Sequence, residues 1–199
     1  MTLKIFGRVS SSNVQKVIWM CAELDLAFER VETGGPAGGG EAPEYRALNP
    51  NGTIPTIVDR GFILWESNAI LRYLALEHGD AKLFPDRIGE RCIVDQWLDW
   101  QMVKTGLGIR NLMVARKAGG GAPELEDLRK QFGILDERLE SSPFVAGDTF
   151  TIADIALGIS ARRWIALSDG AAGLTHLTRW YAVLATRPAF SAIATLPSG

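Results

Sequence analysis

The stretch Asn49-Pro50-Asn51-Gly52-Thr53-Ile54-Pro55, followed by two short apolar runs, constrains this chain more than any other part of it. Asn49 to Gly52 is strong turn chemistry. Pro55 to Asp59 and Phe62 to Trp65 read as strands, with Arg60-Gly61 between them as a hairpin turn. Ser67 then opens a helix that places Ile70, Leu71, Leu74 and Leu76 on its buried side.

The residues upstream extend this frame. Leu3 to Phe6 is a short apolar run stopped by Gly7, which predicts a buried strand. Val14, Val17, Ile18, Cys21 and Leu24 recur at helical spacing, and Phe28 to Val31 predicts a second strand. Gly34 to Gly40 holds five glycines and one proline, so it reads as a flexible surface loop. Pro43 to Leu48 reads as a short helix or turn. The order is β-α-β-α-β-β-α, ending near Gly79.

Asp80 to Arg87 carries Pro85 and reads as a linker. No strand is predicted after it. Ile88 to Ala118 is a long helical stretch with a kink expected near Gly106 and Gly108. Pro123 suits the first turn of a helix that runs to about Glu140. Phe150-Thr151-Ile152-Ala153-Asp154 resembles a capping box ahead of a helix carrying Ile155, Ile159 and Trp164. Leu177, Trp180 and Leu184 mark another helix, and Pro188 starts a last short one. The expected boundaries are an α/β domain over 1–79, a linker over 80–87 and an all-α domain over 88–199.

Bulk properties exclude several functions. The chain has 199 residues and a net charge of −2, so nothing draws the whole molecule to nucleic acid. No apolar run approaches the length needed to span a bilayer, and the N-terminus lacks a signal-peptide pattern. Cys21 and Cys92 are the two cysteines, far apart, and a cytoplasmic setting is expected. Cys21 lies on the apolar helix face and reads as a small core residue. His78 precedes Gly79 and reads as a C-terminal helix charge or cap, while His176 stands alone. Two scattered histidines give no support for a metal site.

Three constellations carry chemistry, and each has a plain alternative. The proline of Ile54-Pro55 is either an ordinary edge-strand proline or part of a cis bond. A cis bond would turn the Ile54 backbone toward a ligand that pairs with it as an extra strand. Glu66-Ser67 is either simple capping or a site where the helix start and Ser67 hold a carboxylate while Glu66 holds an ammonium. A γ-glutamyl group presents both charges on one carbon. Ser10-Ser11-Ser12-Asn13 is either a capping loop or a hydroxyl donor aimed at a thiol. A hydrogen bond to the thiolate and a nearby helix N-terminus both lower a thiol pKa.

Asn49-Pro50-x-Gly52-x-Ile54-Pro55, Glu66-Ser67-x-Ala69-Ile70-x-x-Tyr73-Leu74 and Phe150 to Asp154 together resemble the cytosolic glutathione S-transferases. The chain is most similar to serine-type members, theta/delta-like and bacterial. The resemblance implies an N-terminal thioredoxin-like βαβαββα domain that binds glutathione and a C-terminal α-helical bundle. It makes glutathione the co-substrate, with no metal, and a small hydrophobic electrophile the acceptor. It also implies a homodimer.

Registering Lys16 and Val17 on the family pattern S-x-N-x-x-K-V puts the catalytic hydroxyl at Ser11, with Ser10 and Ser12 as its neighbours. The resemblance gives Ile54, ahead of Pro55, the backbone contacts to the cysteinyl unit, and Glu66 and Ser67 the γ-glutamyl end. Asn51 and Thr53 fall where relatives contact the glycyl end or the cysteinyl backbone. Trp100, Val103, Leu107 and Arg110 are the candidates for the second-substrate pocket, and Trp97 with Trp100 reads as core or dimer packing or as part of that pocket. Asp154 falls in a folding element.

One departure stands out: several serine-type relatives carry histidine where this chain has Gly52. The absence of a cysteine near the first loop argues against a mixed-disulfide mechanism. Two other functions share the frame, a non-catalytic ligand carrier or interaction module and a glutathione-dependent disulfide or peroxide reductase.

Overall fold

The computed structural model describes residues 2–35, 38–79, 81–168 and 173–197. Its contacts divide the chain into two compact units, Met1–Asp80 with Pro188–Gly199, and Ala81–Arg187.

The first unit is built on four strands. They are β1 (Leu3–Phe6), β2 (Phe28–Val31), β3 (Thr56–Asp59) and β4 (Phe62–Trp65), in the sheet order β2-β1-β3-β4. β1 runs parallel to β2 and antiparallel to β3, and β3 pairs antiparallel with β4. The parallel pair needs a crossover, which α1 (Ser12–Glu23) supplies. The hairpin register sets Asp59 against Phe62, leaving Arg60 and Gly61 as a two-residue turn with φ of 50° and 90°. Positive φ at both central residues matches the twist of the flanking strands. α2 (Pro43–Arg46) is one short turn, and α3 (Ser67–His78) follows β4.

Apolar burial follows the predicted periodicity with one correction. Val14, Val17, Ile18 and Cys21 are buried in α1, as are Ile70, Leu71 and Leu74 in α3. Leu76, expected on the buried side, is 56% exposed. At 100° per residue it lies about 240° around the helix from Ile70, away from the buried face.

The chain end also differs from the expected boundary. Pro188 to Pro197 belongs with the first unit, outside the helical domain that the sequence suggested. A 3₁₀ turn at Pro188–Phe190 and α9 (Ser191–Ala194) bring Phe190 edge-on to Trp19, with ring centroids 5.2 Å apart. Gln15 Nε2 donates to the Pro197 carbonyl at 2.7 Å. These contacts are made by single residues far apart in sequence, which periodicity does not register.

The second unit is helical: α4 (Ile88–Trp100), α5 (Leu107–Lys117), α6 (Ala122–Glu140), α7 (Ile152–Leu167) and α8 (Thr175–Ala185). The expected kink is a π-helical turn, Gln101–Gly106, joining α4 to α5. A Cβ on Gly106 would come 3.1 Å from the Gln101 carbonyl oxygen, so glycine suits the wide turn. Thr105 Oγ1 donates to that carbonyl at 3.2 Å, and Gln101 Nε2 donates to Ser160 Oγ at 3.0 Å.

α7 is buried over most of its circumference, which marks a central helix. Trp164 stacks on Phe132 of α6 at 5.0 Å. The predicted linker is partly absorbed here, because Leu83 O accepts from Ile152 N at 3.0 Å. Asp80 itself lies outside the described residues, as do Pro36 and Ala37 of the glycine-rich loop.

Candidate functional site

The candidate residues of the first unit come from three local structures: the start of α1, the turn ahead of β3 and the start of α3. At each, the hydrogen bonds already made decide which hydrogens and lone pairs are left for a ligand.

At the start of α1, Ser11 is the N-cap, with φ −78° and ψ 122°, yet its side chain makes no capping bond. Its carbonyl accepts from Gln15 N at 2.9 Å. Ser10 Oγ accepts from Arg8 Nε at 3.1 Å. Ser12 is the first helical residue. The plain reading, a serine hydroxyl closing the helix, therefore does not describe Ser11.

In the turn, Ile54-Pro55 is cis. The Ile54 side chain packs beside Gly7 and Gly34, and its backbone N–H and C=O make no hydrogen bond among the described residues. Asn49 is fully buried and organises the segment. Its Nδ2 donates to Thr53 O at 2.8 Å and to Thr56 Oγ1 at 3.2 Å. Its Oδ1 accepts from Asn51 N and Asn51 Nδ2 at 3.0 and 3.1 Å. Tyr45 adds a second donor to Thr53 O at 2.5 Å. Asn51 and Thr53 are both exposed.

Gly52 has a physical reason. Its φ is +65°, and a Cβ there would lie 2.7 Å from Gly40 O and 3.2 Å from Arg46 Nε. A histidine at this position would displace the glycine-rich loop that crosses the turn.

At the start of α3, Glu66 is the N-cap, with φ 70° and ψ 112°. That is a costly backbone region for a residue with a Cβ, of order 1–3 kcal/mol, and such strain clusters at binding sites. The Glu66 side chain is exposed and makes no capping bond. Ser67, the first helical residue, is 6% exposed. Its Oγ accepts from Lys16 Nζ at 3.3 Å, and Asn68 Oδ1 accepts from the same ammonium at 3.1 Å. The N-cap side chain does not close the first turn of α3, and a helix start of this kind suits an anion.

Two family models match: "Glutathione S-transferase, N-terminal domain" over residues 10–77 and "Glutathione S-transferase, C-terminal domain" over 121–188. A theta class glutathione S-transferase from Xanthomonas axonopodis pv. citri, solved with glutathione bound, is 36% identical, covers 98% of this chain and 99% of its own, and superposes with a TM-score of 0.86. The chain belongs to the glutathione S-transferase family.

Other relatives agree. Glutathione S-transferase GstB of Escherichia coli (strain K12) is 29% identical over 98% of this chain and 99% of its own. Bombyx mori glutathione transferase BmGSTD1 has a TM-score of 0.89 at 29% identity, covering 93% of this chain and 88% of its own. The chain is thus an enzyme of the transferase class, and glutathione is its co-substrate.

The remaining candidates of this transferase lie in the second unit. Trp100, at the end of α4, is half-buried and meets the buried Trp97 edge-on at 5.2 Å. Val103 and Leu107 are 56% and 46% exposed, and Arg110 is exposed too. Val103 and Leu107 lie on the side away from the buried Gln101, Thr105 and Ile109, while Trp100 and Arg110 flank that buried stripe.

Three other groups have firm structural roles. Cys21 is fully buried, and burial together with the Asp59 charge pushes its thiol up to about 12, so it stays protonated. His78 does not act as a helix cap: its Nε2 lies 2.6 Å from Asp59 Oδ2, which also accepts from Tyr73 OH at 2.9 Å. Asp154 is fully buried and accepts from Thr151 N, Val145 N and Trp180 Nε1, each at 2.9 Å. No group of metal-ligating side chains occurs among the described residues, and no helix there is long and apolar enough to cross a membrane.

The sequence did not point to Lys16 as part of this region. At 100° per residue Lys16 lies about 200° around α1 from Val14, away from the stripe of Val14, Ile18 and Cys21, so periodicity gave no sign of its burial.

Proposed function

We propose that glutathione lies extended along Ile54 and the start of α3, with its thiol at Ser11, and that the thiolate attacks a small hydrophobic electrophile. The observation that carries this reading is the Ser11 hydroxyl, at an N-cap position but not used for capping. Ser10, by contrast, lies before the N-cap, and its oxygen is held by the Arg8 guanidinium. The Ser11 O–H can therefore donate to the sulfur, and the N-terminus of the 12-residue α1 adds a favourable field for negative charge.

The free thiol, near 8.5 in water, would ionise closer to neutral pH. Its proton leaves to solvent, the sulfur forms a bond to the electrophilic carbon, and the displaced group departs with its electron pair. Serine acts as hydrogen-bond donor and forms no covalent bond.

The other contacts follow from available groups. The Ile54 N–H and C=O pair with the cysteinyl backbone, and Pro55 fixes their direction. The α3 start and Ser67 hold the γ-glutamyl carboxylate, and the exposed Glu66 carboxylate holds the ammonium. The second amide hydrogen of Asn51 and the Thr53 hydroxyl are the donors assigned to the glycyl end. Trp100, Val103, Leu107 and Arg110 are assigned to the acceptor, since three of them are exposed and Trp100 is only half-buried. The burial and high pKa of Cys21 speak against a reductase working through a protein thiol at that position. Phe62, Ile63 and Leu76, exposed on the edge strand and α3, support assembly into a homodimer. A cytoplasmic site of action fits the same reading.

The test is a thiolate absorbance titration of enzyme-bound glutathione. Ser11→Ala should raise the bound thiol pKa by about 1–2 and slow conjugation, with a smaller effect on affinity. Ser10→Ala and Ser12→Ala should leave the titration unchanged. An unaltered titration in Ser11→Ala overturns the assignment.

A further inference from the structure

Lys16 lies in α1 at 3% exposure, and its ammonium reaches the first two residues of α3. Burying an ammonium costs several kcal/mol unless it is well partnered, and an apolar residue could join two helices without that cost. A lysine at this position therefore calls for a reason beyond packing.

The hydrogen-bond directions supply one. While it is charged Lys16 has donors only, so Ser67 Oγ and Asn68 Oδ1 both accept from it. A serine hydroxyl that accepts from an ammonium keeps its own hydrogen for another acceptor. Lys16 also adds positive charge behind a helix start that already favours anions.

We propose that Lys16 is a positioning residue for the γ-glutamyl end of glutathione, keeping Ser67 turned as a donor and strengthening the anion site at the start of α3. The proposal rests on the assignment of Glu66 and Ser67 to that end. Burial lowers the Lys16 ammonium to about 7, against the opposing pull of the Glu66 charge. The Glu66 charge faces it from α3, and residues 188–197, packed on α1, carry no ionisable side chain. A carboxylate bound at the start of α3 would favour the charged form and hold its proton in place.

The experiment is calorimetric binding of S-methylglutathione, which has no thiol to ionise. It is run from about pH 6 to about pH 9, either side of the lowered value, in buffers of different ionisation heat. The wild-type enzyme should take up protons on binding near neutral pH, and its affinity should fall on the basic side. Lys16→Arg, whose charge persists, should keep affinity within about threefold and flatten the pH profile. Lys16→Met should lose roughly 10–100-fold in affinity, the scale of a hydrogen bond supported by charge.

If Lys16→Met does not fold, Asn68→Ala removes one acceptor and should cost about threefold, while wild-type proton uptake needs no variant. Suppose Glu66→Ala and Ser67→Ala weaken binding while Lys16→Met stays within about twofold and the wild type takes up no proton. The γ-glutamyl site then stands and the role of Lys16 is refuted. If none of the three variants changes affinity, both fall together.

Discussion

The starts of α3 and α7 look alike in sequence and behave differently in structure. Each sets a hydroxyl residue and an acid beside an apolar helix. At α7, Thr151 and Asp154 close on each other: Thr151 Oγ1 accepts from Ala153 N at 3.3 Å, and Asp154 accepts from Thr151 N at 2.9 Å. Val145 and Trp180 add donors, and the whole cap is buried. At α3, the acid is exposed, its φ is 70°, and the hydroxyl accepts from a lysine outside the helix. A helix start whose donors are already used by its own side chains stabilises the fold. One left open by its own side chains can take a ligand anion.

The largest expected effect breaks the closed start. Asp154→Ala would leave the buried Val145 and Trp180 N–H groups without an acceptor and should destabilise the fold by about 3–5 kcal/mol, read from denaturant unfolding. A loss under about 1 kcal/mol would mean that the cap is incidental.

The next effect is on binding. Glu66→Ala should weaken glutathione by roughly 1–3 kcal/mol in calorimetry while leaving the unfolding midpoint nearly in place, since the side chain caps nothing. Wild-type affinity in that variant would remove the distinction between the two helix starts.

Thr151→Ala sharpens the comparison from the other side. It should cost about 1 kcal/mol of stability, the usual value of an N-cap, with unchanged glutathione affinity in the folded protein.

The smallest effect at neutral pH concerns Asp59, which ties the Tyr73 and His78 side chains of α3 to the end of β3. Burial raises the Asp59 carboxyl, but the bonds from His78 and Tyr73 and the charges of His78 and Arg60 outweigh it and hold the pKa below the usual range. Its stabilisation is therefore complete above the unfolded value, near 4, and is lost as pH falls through the lower folded value. Acid unfolding should begin below about pH 4 on this account, and Asp59→Asn should remove part of that acid limb. An acid limb identical in the variant would contradict it.

Much of this was legible because it depends on local chemistry. The hairpin between β3 and β4 needed a turn that tolerates positive φ, and Arg60-Gly61 supplied it. The capping box needed Thr151 and Asp154 three apart. The turn before β3 needed Asn49 and Gly52.

What the sequence hid depends on contacts between distant residues. The burial of Lys16 shows only once α3 is placed beside α1. Gly106 signals a break in helix 88–118 but cannot tell a kink from a π turn. The packing of Phe190 on Trp19 joins positions 171 residues apart by their numbering. The availability of Ser11, the basis of the catalytic proposal, is likewise a matter of which hydroxyl is already bonded.

The most direct test of the open and closed helix starts is to follow backbone amide resonances of this 21.7 kDa chain as glutathione is added. The account predicts shifts and slowed exchange at Ser67 and Asn68, with the amides of Ile152 and Ala153 unmoved. Saturating glutathione that left the Ser67 and Asn68 amides unchanged would contradict it.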